Sequence, residues 1–147
     1  MELTFVKRSG KNDELTIVRS GKVAENVACP KQGIIPHDMV HYAIESVLAH
    51  HGFLSLVKAG QRADFTTGGA DSEEAVERLV ETFQAEMWGG RVSASDLIAV
   101  YEHACDARGH GAAAISARDI EAVRSRIDEL TLEWGALPVN GALTVRF

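Results

Sequence analysis

Two stretches near the start of the chain alternate apolar and polar residues: Glu2 to Arg8 (E-L-T-F-V-K-R) and Glu14 to Arg19 (E-L-T-I-V-R). A period of two is the pattern of a strand with one buried face. Between them, Ser9-Gly10-Lys11-Asn12-Asp13 has the length and residue types of a hairpin connection. Lys22 to Ala28 adds a weaker third strand before Pro30.

The period then becomes helical. Pro36 suits a first helical turn, where a missing N–H costs no intrahelical bond, and Val40, Ile44, Val47 and Leu48 recur at the spacing of one buried stripe. Gly52 is the expected stop, followed by a short helical turn over Phe53 to Val57 that ends by Gly60. Gln61 to Ala70 reads as a loop. Its Thr66-Thr67-Gly68-Gly69 tip lacks the Gly-Lys-Ser/Thr that a phosphate loop needs.

Three longer helices follow. Asp71-x-x-Glu74 resembles a capping box, and Val76, Leu79, Val80, Phe83 and Met87 share a face up to Gly89-Gly90. The next two helices start alike, at Val92-Ser93-Ala94-Ser95-Asp96-Leu97 and Ile115-Ser116-Ala117-Arg118-Asp119-Ile120. In each, a serine caps the amide three residues on, an aspartate favours the positive helix end, and two apolar residues are spaced as a hydrophobic staple. Ile120, Val123, Ile127, Leu130 and Trp134 form the buried stripe of the last helix, and Ala142 to Phe147 returns to strand alternation after the Pro138-Val139-Asn140-Gly141 turn. The expected architecture is one α+β domain over residues 1–147. An N-terminal β-hairpin and a C-terminal strand share one small sheet, packed against four or five helices.

Composition narrows the function classes. At 147 residues with 46% apolar and 24% charged, the chain can bury a full core. A net charge of −6 argues against a nucleic-acid surface. The acidity is concentrated: residues 1–35 hold six basic and four acidic groups, residues 36–135 eight and seventeen. Solvated acidic helix faces account for this, and a basic protein partner is the other reading. The absence of a signal-peptide pattern at Met1 to Phe5 and of a run of about 20 apolar residues gives a cytoplasmic, membrane-free expectation. Cys29 and Cys105 are too few for a disulfide framework. Cys105 falls on an apolar helix face, and Cys29 is expected in a more exposed loop.

Candidate chemistry concentrates in Ile35-Pro36-His37-Asp38-Met39-Val40-His41-Tyr42-Ala43-Ile44-Glu45. On a helix His37, Asp38, His41 and Glu45 fall within one arc of about 100° at the edge of the apolar stripe, half in solvent. They are the expected binding residues. The i,i+4 pair His37 and His41 can grip one metal ion, with Glu45 as a third ligand. Zinc or another divalent metal is the cofactor of that reading, and a metal-dependent hydrolase its enzymatic form. A metalloprotease helix has glutamate where this chain has the shorter Asp38, and His50, His51, His103 and His110 are further donors, His103 on a solvent face. The competing account is structural: Asp38 favours the helix N-terminus and His41 pairs with Glu45.

The same segment resembles a group of small bacterial proteins with a Leu-Pro-His-Asp-Leu-x-His core. The likeness covers Ile35 to His41, the Gly52-Phe53 step and Trp134 to Phe147, about a fifth to a quarter of the chain, with isoleucine at position 35 instead of leucine. It implies the domain boundaries and carries no activity with it. With no nucleophile elbow, phosphate loop or basic stripe, the leading expectation is a non-enzymatic module that needs no cofactor and binds itself, as a homo-oligomer covering exposed sheet edges, or another protein.

Overall fold

The structure, a computed structural model, describes residues 1–31, 33–48, 53–60 and 71–147. It is α+β, as expected. Strands β1 (Glu2–Val6), β2 (Asn12–Arg19) and β3 (Lys22–Pro30) are followed by helices α1 (His37–Leu48), α2 (Phe53–Lys58), α3 (Asp71–Gly89), α4 (Ala94–Ala107) and α5 (Ala117–Gly135), then strand β4 (Ala142–Arg146). The stop expected at Gly52 and the loop expected over 61–70 lie outside the described residues.

The four strands form one antiparallel sheet in the order β3-β2-β1-β4. Ser20 and Gly21 join β2 to β3 with positive φ at both positions (51° and 73°), the backbone of a two-residue turn matched to strand twist. The weakly patterned β3 is the longest strand and extends through Pro30. Cys29 is therefore in a strand and buried, not in an exposed loop. β4 lies beside β1, with Leu3 opposite Val145 and Phe5 opposite Leu143. A β-carbon at Gly141 would sit 2.9 Å from the Pro138 carbonyl oxygen, so the turn into β4 requires glycine there.

Leu3, Phe5, Leu15, Ile17 and Val145 on one sheet face join a single apolar core with the helices. Each fully buried large side chain contributes roughly 1.5–3 kcal/mol. The cap chemistry of the last two helices is present: Ser93 accepts from the Asp96 amide, and Ser116 and Asp119 form a reciprocal capping box. Ile115 packs against the core, whereas Val92 is exposed, so the staple forms at the second start and not at the first.

Helix α1 packs against α2, α3 and α5, and its first turn meets β3 through Asp38 and Cys29. Every residue from Asp38 to Glu45 is buried. The half-solvated polar arc expected for Asp38, His41 and Glu45 is thus corrected: they lie inside the protein, and of the four only His37 is partly exposed. Enclosure on several sides, which periodicity within one helix cannot register, is the cause. No helix among the described residues is long and apolar enough to cross a membrane.

Candidate metal centre

His37 and His41, one turn apart on α1, bring their rings to 4.9 Å in an edge-on arrangement. Opposite them stands Glu77, carried by α3. Its Oε1 lies 3.1 Å from His41 Nε2 and its Oε2 lies 3.9 Å from His37 Nε2. One donor atom from each of the three residues lies within 4.8 Å of the others. Zinc bonds of about 2.0–2.2 Å would bring tetrahedral ligand atoms roughly 3.3 Å apart, so coordination would require the wider-spaced donors to close by up to about 1.5 Å. The side chains of His37 and Glu77 are 37% and 35% exposed, while that of His41 is 1% exposed.

Glu45 is placed behind His41 instead of beside the other donors. Its Oε2 lies 3.0 Å from His41 Nδ1 and accepts from the Leu54 amide at 3.1 Å. Oε1 accepts from the Ser55 amide and hydroxyl, both at 3.0 Å. A carboxylate on one ring nitrogen fixes a histidine's tautomer and aims the other nitrogen at a metal. Asp38 turns away toward β3, where its Oδ2 accepts from the Cys29 thiol at 3.6 Å. The structure therefore brings His37 and His41 together, sets Glu45 one shell back, and separates Asp38 from the group. Among the remaining histidines His103 is exposed, and His110 lies with it beside a separate cavity at α4. His50 and His51 lie outside the described residues.

Between two carboxylates, His41 has an altered proton affinity. Burial drives its pKa down, but hydrogen bonds to Glu45 and Glu77 outweigh burial and push it up to about 10. Burial likewise raises the Glu77 carboxyl, and the nearby imidazoles more than offset that, so its pKa falls below the usual value. A proton held on His41 Nε2 toward Glu77 would have to leave before a metal ion could bind there.

Glu77 carries no signal in the sequence that separates it from Glu73, Glu74 and Glu81, its acidic neighbours on α3. Only the packing of α3 on α1 selects it. No known protein family, curated protein or solved structure matches this chain.

Proposed function

We propose that this protein binds one divalent transition-metal ion, zinc foremost, through His37, His41 and Glu77, with Glu45 orienting His41. The convergence of two imidazoles and a carboxylate from two helices carries the reading. The ligand chemistry supports it: two nitrogen donors and one oxygen leave a position open to water, a set that suits zinc and also iron(II). The Glu45–His41 contact is the carboxylate partner that metal-bound histidines typically have. Asp38 occupies the sequence position of a metalloprotease base, but its contact with Cys29 directs it away from the donors. The reading therefore ends at metal binding and includes no hydrolytic step.

The test is calorimetric titration of untagged, metal-stripped protein with zinc, alongside iron(II) under anaerobic conditions. One ion per chain is expected, and His37→Ala and Glu77→Ala should each weaken binding by well over the roughly 10- to 100-fold seen for loss of an outer-shell partner. Absence of stoichiometric binding by the wild type, or binding indifferent to both substitutions, would overturn the proposal.

A further inference from the structure

Glu45 joins two parts of the molecule that are separate in sequence. One of its oxygens is shared between the His41 ring and the Leu54 amide, and the other takes the amide and hydroxyl of Ser55. Its side chain is fully buried, as is the His41 ring. Helix α2 has six residues, too short to be stable alone, and its first turn is held by this carboxylate.

We infer that Glu45 is a positioning residue through which metal binding at His41 and docking of helix α2 against α1 become one coupled equilibrium. The inference rests on the metal-binding reading above. Without metal the Nε2 side of the ring is held by Glu77 at 3.1 Å, from a side chain 35% exposed. A metal on Nε2 would fix the imidazole with its Nδ1 hydrogen toward Glu45 and so hold Glu45 as an acceptor in its present place. That is also the place from which it holds Leu54 and Ser55. Conversely, a docked α2 restrains the Glu45 carboxylate in the geometry that aims His41 at the metal. Coupling of this kind is reciprocal: the factor by which metal favours the docked helix equals the factor by which docking raises metal affinity. Docking of α2 also sets one wall of a cavity of about 630 Å³ against α1 and β4, lined by Ser46, Ser55, Lys58, Arg146 and Phe147. The state of the metal site would thus be transmitted to a surface that the metal does not touch.

The test is amide hydrogen exchange by NMR on the full chain, with and without saturating zinc, with zinc binding measured separately by calorimetry. Exchange at Leu54 and Ser55 should slow by at least about fivefold, the lower end of typical coupling, and by more than at amides of α4. Ser55→Pro, which deletes both the amide and the hydroxyl that reach Glu45, should weaken zinc binding by a comparable factor. Zinc bound tightly with Leu54 and Ser55 exchanging as before would overturn the coupling and leave the metal reading standing. Failure of zinc to bind at all would overturn the metal reading and this inference with it.

Discussion

The Cys29 thiol meets the Asp38 carboxyl at 3.6 Å and joins strand β3 to the first turn of helix α1. The other Asp38 oxygen, Oδ1, is buried with no hydrogen-bond partner among the described residues. Among the described residues the thiol is thus the donor to Oδ2, and it serves only one of the two carboxyl oxygens.

Replacing Cys29 with alanine should accordingly cost about 2–4 kcal/mol, because a small cavity and an unsatisfied carboxyl add together. Cys29→Ser, which keeps a donor, should cost less. Urea denaturation distinguishes the two, and a loss below about 0.5 kcal/mol for Cys29→Ala would show that the contact is not made. Burial first, and the Asp38 charge second, push the thiol far above its ordinary pKa, so it should react with thiol reagents only after unfolding.

His41 sets a pH dependence with a defined sign. Its pKa rises from 6.5 to about 10 on folding, despite burial, because Glu45 and Glu77 accept from the ring. The resulting stabilisation is complete below the unfolded value and is lost as pH climbs through the folded one. Metal-free wild type should thus lose stability between about pH 6.5 and about 10. Glu77, held below its usual pKa, contributes in the opposite sense, and its share disappears as acid protonates it. Denaturation midpoints across that range should fall for the wild type and be flatter for His41→Gln. Parallel profiles would show that His41 does not titrate as described.

Arg124 on α5 and Glu86 on α3 form a buried ion pair, with side chains 6% and 5% exposed. Arg124 also donates to the Val92 carbonyl at 2.8 Å and to Glu121 at 2.9 Å, tying α5 to the α3–α4 connection. Glu86→Ala should destabilise by about 3–5 kcal/mol, since it leaves a buried cation without its main partner. The double change Glu86→Leu with Arg124→Met should cost clearly less, because no charge is then stranded. Equal losses in chemical denaturation would place the stabilisation in packing instead.

Removing residues 142–147 should lower stability by several kcal/mol. Val145 is buried against the core at roughly 1.5–3 kcal/mol, and the whole hydrogen-bonded edge of β1 goes with it. An unchanged melting temperature after the deletion would contradict the β1–β4 pairing.

Much of the fold was legible because its signals are local. Alternation marks β1, β2 and β4, and the Ser-x-x-Asp starts at Ser93 and Ser116 mark two helices by hydrogen bonds that close within four residues. The site was legible in part for the same reason: His37 and His41 belong to one helix, so their meeting follows from the period. Glu77 was not, since its position beside them depends on α3 packing across α1. Asp38 stands in the first turn of α1, as expected, but its contact with β3 and the placement of Glu45 behind His41 were illegible on the same ground. Each is claimed by a partner distant in sequence, Cys29 for one and Leu54 with Ser55 for the other. Polar residues on a helix look solvent-facing until the elements that enclose them are known.

The pairing of β1 with β4 also determines the order in which the chain can complete itself. Leu3 finds Val145 only after helices α1 to α5 have been made, so this edge of the sheet closes by contacts between residues more than 130 positions apart. Contacts so distant in sequence slow folding, and a nascent chain held short of residue 142 carries a bare β1 edge able to recruit strands from other molecules. Aggregation during synthesis should therefore be governed by how quickly β4 emerges and docks, and slowing elongation just before codon 142 should lower the soluble yield while leaving the stability of correctly folded protein unchanged.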